Sequence, residues 1–364
     1  MQRLRPSPIR EILKVIDRPG MISFAGGLPN AKSFPQLADR VPEKYLQYGP
    51  SEGEPELRQK VCELLSRRGL DCEPDQVLIL SGSQQGIDLV AKAFVDTDTG
   101  IALEYPTYLA ALQVFDLFGA SYHSMEAISV DTGLAYAIPS FQNPTGRCYT
   151  EAERISLATR CDETSTVLFE DDPYSDLYYE NVCRKPVVSY LESSSWIYQG
   201  SFSKSFCPGL RLGYMVCSRD LLDPLTRLKQ SADLHSNRIS QCHILALLSD
   251  PGYEGRLETV RSAYQARRNV FDQKLTQHFS GLATWEIPSG GLFFWLQLDK
   301  GINFEMDELF KRSVEHGVAF MPGNPFFPGE TSDGNHMRLN FSHASDDQVE
   351  KGIEILASLV RQAC

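Results

Sequence analysis

Short runs rich in β-branched and aromatic residues alternate with helical patterns through the middle of this 364-residue chain, and this alternation constrains the fold most strongly. Strands that alternate with helices favour a largely parallel sheet with helices packed on it. We therefore expect an α/β lobe with a mostly parallel seven-stranded sheet. The predicted strands are residues 77–80, 101–104, 121–125, 135–138, 167–170, 196–199 and 212–216.

The length of the chain and a change of pattern near residue 252 indicate a second lobe. A single hydrophobic core usually stops growing at about 250–300 residues. One long charged helical pattern covers residues 252–279, after which strand patterns become fewer and more widely spaced. We expect the N-terminal segment to join this smaller α+β lobe. The predicted domains are a large one at residues 41–254 and a small one at residues 1–40 and 255–364.

Composition and charge exclude several classes of function. The net charge of −12 opposes nonspecific binding to nucleic acid or to an anionic membrane, so we expect neither as a partner. The nine cysteines contain no CxxC pair, and the seven histidines contain no closely spaced set, so we expect no metal site. No run of 18 apolar residues occurs, and no apolar stretch of signal-peptide type follows the first residues. We therefore expect a cytoplasmic enzyme.

A lysine at position 204 lies in a loop that is rich in hydroxyl groups. The loop reads Ser-Phe-Ser-Lys-Ser-Phe at residues 201–206 and is followed by Arg211. A lysine amine holds an aldehyde as an imine, while hydroxyls and a fixed positive charge bind a phosphate, and these properties match pyridoxal 5′-phosphate. Taken alone, such a loop is more often solvated surface, so the interpretation depends on other motifs.

Three other motifs follow predicted strands, where ligands collect in open α/β sheets. Residues 81–86 offer a glycine turn and a helix N-terminus that would receive a phosphate, or a plain N-cap. Asn143, within Gln-Asn-Pro-Thr-Gly, would direct its amide at a cofactor hydroxyl, or simply form a turn. Asp171 would keep a pyridine nitrogen protonated so that the ring accepts electrons, or belong to a solvated acidic turn.

Eight short segments, taken together, resemble the fold-type I, class I/II aminotransferases, and most of all the branch of 2-aminoadipate and kynurenine aminotransferases. The resemblance covers nearly the whole chain, from Arg10 to Arg338, and the ordered set is far more specific than any one segment. The segments are residues 24–29, 48–53, 82–85, 142–146, 171–174, 201–204, 208–211 and 337–339.

The resemblance implies roles in holding the cofactor. Lys204 matches the Schiff-base lysine that also carries the proton between the substrate Cα and the cofactor, and we expect nearby positive charge to lower its pKa. Tyr108 matches the aromatic ring that stacks on the pyridine, although it would also suit a core position. Asn143 and Tyr174 match the two groups that hydrogen-bond the phenolic oxygen. The residues that match the phosphate-binding cup are Ser83, Gln84, Ser201, Ser203 and Arg211.

The resemblance also implies how the substrate is held. Arg338 matches the arginine that binds the substrate α-carboxylate, unless it forms a structural ion pair. Asn143 and Gly27 line the substrate pocket in the family. Arg10 matches an arginine that recognises the distal group of the substrate, unless it is an exposed helix residue. Tyr48 matches a tyrosine that reaches the phosphate of the neighbouring subunit, which implies a homodimer with shared active sites.

The expected function is a pyridoxal phosphate-dependent aminotransferase that moves an amino group between an L-amino acid such as glutamate and a 2-oxo acid. Elimination, decarboxylation or oxidation of an amino acid uses the same cofactor and remains an alternative. A third reading is the effector-sensing domain of MocR-type regulators, although the charge does not suit DNA. One departure from the family is the short stretch at residues 126–134, where the family normally places a crossover helix.

Overall fold

The computed structural model of the protein describes residues 18–299, 305–329 and 335–362. The strands are β1 (Ile22–Ser23), β2 (Val77–Leu80), β3 (Gly100–Leu103), β4 (Ser121–Ser124), β5 (Thr132–Ala137), β6 (Val167–Asp172), β7 (Trp196–Ser201), β8 (Gly213–Cys217), β9 (Ala283–Trp285), β10 (Phe293–Leu298), β11 (Val318–Ala319), β12 (Met321–Pro322) and β13 (His336–Asn340). The helices are α1 (Pro55–Ser66), α2 (Ser83–Phe94), α3 (Leu109–Phe118), α4 (Glu151–Thr164), α5 (Arg219–Asp233), α6 (Arg238–Ser249), α7 (Tyr253–Phe279), α8 (Met306–Glu315) and α9 (Asp346–Arg361).

The central sheet contains all seven predicted strands, in the order β2-β8-β7-β6-β5-β3-β4. Only β8 runs against its neighbours, and the other strands share one direction. Apolar side chains of α1, α4 and α6 pack on one face of the sheet, and those of α2, α3 and α5 pack on the other. The protein therefore has the predicted α/β architecture with a mostly parallel seven-stranded sheet.

The reversed direction of β8 brings a further side chain to the functional edge of the sheet. The carboxyl ends of parallel strands meet at one edge, and β8 presents its amino end there. Arg211 lies two residues before the start of β8. Its guanidinium group therefore reaches the same edge as the residues that follow β2, β6 and β7.

The stretch between β4 and β5 contains a 3-10 turn at Met125–Ala127 and no α-helix. Both strands pair with β3 in parallel, one on each side, so the connection crosses over β3. The short spacing predicted that the family's crossover helix is missing here, and a compact turn takes its place. One anchor of this turn is Arg160 on α4, whose Nη1 donates to the carbonyl oxygen of Met125 at 2.7 Å.

A second sheet, in the order β12-β13-β10-β9, is antiparallel and packs with α7 and α9 around its own apolar core. The N-terminal segment joins this region, because β1 pairs in parallel with β11 and the buried Phe24 packs edge-on against Phe271. The domain limits at residues 41 and 254 stay a prediction. Arg10 lies outside the described residues. None of the helices that the structure describes is long and apolar enough to span a membrane.

Candidate active site

A cavity of 470 Å³ opens at the carboxyl edge of the central sheet, between that sheet and the second one. Within the described residues, every predicted site residue except Tyr48 lines it. These lining residues are Gly27, Ser83, Gln84, Tyr108, Asn143, Asp171, Tyr174, Ser201, Ser203, Lys204, Arg211 and Arg338. Motifs that are scattered over more than 300 positions of sequence thus meet around one space. Leu28, Leu109, Ile138 and Met321 add an apolar wall that the sequence did not identify.

One end of the cavity is suited to a phosphate group. Ser83 begins helix α2, where free backbone N–H groups and the helix dipole favour an anion. Gly82 has φ +84°, and a Cβ atom there would lie 2.7 Å from Nη2 of Arg211. A side chain at position 82 would therefore displace the guanidinium group from the helix N-terminus. The hydroxyl groups of Ser201 and Ser203 complete this polar end.

Lys204 lies at the centre of the cavity, and its Nζ donates to the carbonyl oxygen of Gly27 at 2.8 Å. Burial, together with the positive charges of Arg338 and Arg211, lowers the pKa of Lys204 to about 8. A substantial fraction of neutral amine is therefore present near pH 7 to 8, which a nucleophilic lysine requires. The sequence predicted that nearby positive charge lowers this pKa, but burial has the largest effect, and the charge of Arg338 contributes more than that of Arg211.

The reactivity of Lys204 toward an aldehyde is expected to follow this lowered pKa. Only the neutral amine attacks a carbonyl, so the rate should rise with pH up to about 8 and then level off. The measurement is the rate at which an aldehyde is trapped by borohydride on Lys204 between pH 6 and about 10. The same curve for Arg338→Met should shift to higher pH, because the variant lacks one repelling charge. A curve that still rises steeply at about pH 10 would contradict the assignment.

Asp171 is buried at the end of β6, with both carboxylate oxygens hydrogen-bonded. The hydroxyl of Tyr136 donates to Oδ2 at 2.8 Å, and Nε2 of Gln199 donates to Oδ1 at 2.9 Å. Burial raises the pKa of Asp171 to about 6, although these two hydrogen bonds favour the ionised form. Tyr136 and Gln199 were not identified from the sequence, although a glutamine within a run of apolar strand residues is a recognisable signal.

Two tyrosines border the space between Asp171 and Lys204. Burial raises the pKa of Tyr108 to about 12, and burial also raises the pKa of Tyr174. Both phenols therefore stay protonated at neutral pH and are available as hydrogen-bond donors. The ring of Tyr174 packs edge-on against Phe293, with 5.8 Å between the centroids, which fixes its orientation.

Arg338 is a buried cation that faces the cavity, and no ion pair joins it to a carboxylate of the described residues. Its Nη1 donates to Oδ1 of Asn143 and its Nη2 to the carbonyl oxygen of Ala25, both at 2.7 Å. The guanidinium group lies 4.2 Å from the ring centroid of Phe293. Burial lowers the pKa of Arg338 to about 10, yet the group stays charged at neutral pH. The alternative of a structural ion pair is therefore not supported.

The donor set of this cavity fits pyridoxal 5′-phosphate. The end near Ser83 and Arg211 suits the phosphate, the amine of Lys204 suits the aldehyde, and the carboxylate of Asp171 suits the pyridine nitrogen. Because Oδ1 of Asn143 accepts from Arg338, the remaining polar group of this amide is its NH₂ donor, which suits a phenolate oxygen. Arg338 has no partner among the groups of the cofactor, so it remains available to bind another anion.

Tyr48 does not line the cavity of its own chain. Its side chain is 77% exposed, and its ring contacts only the edge of His235 among the described aromatic residues. The backbone of this segment is nevertheless held firmly, since Nη1 of Arg238 donates to the carbonyl oxygens of Gln47 and Tyr48. The exposed ring is therefore presented outward on an anchored backbone.

Comparisons with known proteins agree with the geometry. The family model "Aminotransferase class I and II" matches residues 27–356. The chain is 35% identical to the 2-aminoadipate transaminase of Thermus thermophilus, over 99% of this chain and 95% of that enzyme. It superposes with a TM-score of 0.90 on the kynurenine aminotransferase of Pyrococcus horikoshii, solved in complex with PMP, at 31% identity and over 99% and 95% of the two chains.

The chain is also similar to a transcriptional regulator, over part of that protein's length. An uncharacterized HTH-type transcriptional regulator of Bacillus subtilis is 30% identical, over 87% of this chain but only 67% of the regulator. The family match spans most of the chain, and the cavity carries the groups that the family's cofactor requires. The protein therefore belongs to the class I and II aminotransferases, with the type I fold, and transfers amino groups with the help of pyridoxal 5′-phosphate.

Proposed function

We propose that Lys204, Asp171 and Arg338 carry out the transfer of an amino group from an L-amino acid such as glutamate to a 2-oxo acid. Bound pyridoxal 5′-phosphate supplies an aldehyde that captures the substrate amine and a ring that accepts electrons when the Cα–H bond breaks. Asp171 holds the proton of the pyridine nitrogen in place. Ser83, Gln84, Ser201, Ser203 and Arg211 bind the phosphate.

Lys204 moves the substrate proton in this proposal. Its neutral Nζ would be the base in the cavity that takes the proton from the substrate Cα. Its lowered pKa supports this role, because a general base works best when its pKa lies near the working pH. Tyr108 would hold the cofactor ring, and Tyr174 and Asn143 would donate to its phenolic oxygen.

The observation that carries the proposal is the unpaired charge of Arg338. A buried guanidinium group without a carboxylate partner is costly, so proteins retain it where a ligand supplies the anion. The group lies in the same cavity as Lys204, and its planar fork suits a carboxylate. We therefore place the substrate α-carboxylate on Arg338, with Gly27 and Asn143 beside it. The role of Arg10 in binding a distal substrate group stays a prediction.

The direct test is to add glutamate to purified protein that has been loaded with the cofactor. Amino transfer converts the absorbance of the aldehyde form into that of the amine form, and a 2-oxo acid reverses the change. Release of ammonia or carbon dioxide without this conversion would favour elimination, oxidation or decarboxylation. Cofactor binding without turnover of any amino donor would instead favour an effector-sensing domain.

We also propose that the enzyme is a homodimer in which Tyr48 of each subunit reaches the cofactor phosphate of the other. Tyr48→Phe is then expected to weaken cofactor binding about tenfold, since it removes a hydrogen bond to a charged group. Equilibrium dialysis measures the affinity, and light scattering checks that the mass stays that of two chains. Tyr190→Phe is the control, because its hydroxyl bonds Glu151 far from the cavity. A monomeric mass, or unchanged affinity in Tyr48→Phe, would contradict this arrangement.

A cytoplasmic location is part of the proposal. All cysteines in the described part of the chain are free thiols, which is typical of a reducing compartment. Fractionation of cells that produce the natural protein would test this point.

A further inference from the structure

The carboxylate of Asp171 is held in place by neutral donors alone. It is 3% exposed, and its oxygens accept from the Tyr136 hydroxyl and the Gln199 amide. No ion pair joins Asp171 to a lysine, arginine or histidine within the described part of the chain. The titratable groups that interact electrostatically with Asp171 are Tyr136 on β5, Glu104 after β3, Asp172 on β6, Tyr108 before α3 and Tyr174 after β6. Hydrogen bonds alone must therefore stabilise the negative charge of Asp171, since no positively charged side chain pairs with it within the described residues.

The register of the sheet places Gln199 for this contact. Gln199 on β7 pairs directly with Asp171 on β6, and its side chain is fully buried. Its Nε2 donates to Asp171, whereas its Oε1 has no hydrogen-bond partner. A carboxylate only accepts hydrogen bonds, so the amide nitrogen must face Asp171, and Oε1 must point away. Retaining a buried acceptor without a partner is unfavourable, which indicates that the contact with Asp171 has a function.

Helix α2 leaves the space that this orientation needs. Gly86 lies in the interior of the helix, where glycine is unfavourable relative to alanine. A Cβ atom at Gly86 would lie 1.7 Å from Oε1 of Gln199 and 2.9 Å from a methyl carbon of Leu80. The first distance is impossible, so any side chain at position 86 would drive the Gln199 amide from its place.

We propose that Gln199 is a positioning residue for amino transfer, which keeps Asp171 ionised and oriented toward the pyridine nitrogen. Gly86 leaves the space that the side chain of Gln199 needs. This inference rests on the proposed role of Asp171. Gln199 itself does not line the cavity, so it acts through Asp171 rather than by touching cofactor or substrate.

The test compares cofactor affinity as a function of pH in the wild-type protein, Gln199→Met and Gly86→Ala. Loss of a hydrogen bond to the ionised form raises the pKa of Asp171. The fall of cofactor affinity toward low pH (the acid limb) should therefore move up by about one pH unit in Gln199→Met, so that binding is about tenfold weaker near pH 5 but only about twofold weaker near pH 7. Gly86→Ala should shift the limb in the same direction, although Gln199 is still present. For both variants we expect kcat to fall with little change in KM, because Arg338 still binds the substrate.

Two further variants separate the possible outcomes. Gln76→Met removes another amide hydrogen bond, to the carbonyl oxygen of Cys217 at the opposite end of the sheet, and should leave the acid limb unchanged. If Asp171→Asn weakens cofactor binding but Gln199→Met keeps the wild-type limb, the positioning role is overturned and the role of Asp171 stands. If Asp171→Asn also has no effect, the proposed function of Asp171 is wrong. A limb shifted in Gln199→Met but not in Gly86→Ala would overturn the role of Gly86.

Discussion

Replacement of Lys204 by methionine is expected to abolish amino transfer, with a fall in kcat of at least about 10⁴-fold. The variant loses both the amine that bonds the aldehyde and the base that moves the substrate proton. No other lysine lines the cavity in the described part of the chain, so none would take over either task. The phosphate end is untouched, and the variant should still bind the cofactor without a covalent bond. Steady-state kinetics with glutamate and a 2-oxo acid measure the effect.

Borohydride reduction followed by peptide mapping locates the covalent bond, whereas retained binding of the cofactor shows that the variant is still folded. The wild-type protein should carry the reduced adduct on Lys204, and the methionine variant should carry none. Lys185→Met is the matched control, because Lys185 packs on the ring of Tyr190 away from the cavity and should keep full activity. An adduct at another lysine, or turnover by Lys204→Met within tenfold of the wild-type rate, would refute the assignment.

The main parts of the site were predictable because each follows a strand. Parallel strands direct the residues at their carboxyl ends to one edge of the sheet. Asn143 and Lys204 follow β5 and β7 in this way, Asp171 lies at the carboxyl end of β6, and their residue types already match one cofactor. The order of the strands was not needed for this conclusion. The conclusion requires only that the strands run parallel, and the alternation of strands and helices favours a parallel sheet.

The supports of Asp171 could not be predicted, because they depend on register. Gln199 and Tyr136 lie on the two strands that flank β6, and only the pairing shows that they reach the same carboxylate. A period-2 pattern reports which face a strand residue occupies, but not its partner across the sheet. The reversed direction of β8, which delivers Arg211, likewise depends on long-range pairing. The reason for a glycine inside helix α2 at position 86 is likewise a long-range contact, because only the structure shows that Gln199 occupies the space beside it.

Replacement of Arg338 by methionine is expected to reduce kcat/KM for amino acids by about 10³-fold. A bidentate, charge-assisted contact with the α-carboxylate contributes about 1.5–3 kcal/mol per hydrogen bond, and the variant loses both bonds. The loss should be specific to substrates that carry this carboxylate. The wild-type enzyme should strongly prefer an amino acid over the amine that lacks its carboxylate, and Arg338→Met should lose most of this preference. The ratio of the two kcat/KM values measures the effect.

Stability should change in the opposite direction to activity. Arg338 is charged and buried without an anionic partner, and it lies near the charge of Lys204, so its removal relieves an unfavourable arrangement. The carbonyl oxygen of Ala25 and Oδ1 of Asn143 lose a donor, but they border a cavity that admits water. We therefore expect Arg338→Met without cofactor to be as stable as the wild-type protein or about 1 kcal/mol more stable. Urea unfolding of the apoenzyme measures this difference.

Arg154 provides the contrast by which the proposed binding role of Arg338 is tested. Arg154 is also buried, but it pairs with the buried carboxylate of Glu170 and donates to three backbone carbonyl oxygens, those of Pro139, Tyr149 and Lys185. Arg154→Met would leave these acceptors without partners away from water, and we expect it to lower the free energy of unfolding by about 3 kcal/mol or more. A buried arginine that serves the fold should thus cost stability when replaced, whereas one that awaits a ligand should not. If Arg338→Met were as destabilising as Arg154→Met and kept the preference for amino acids, Arg338 would be a structural residue, and the proposed substrate contact would be wrong.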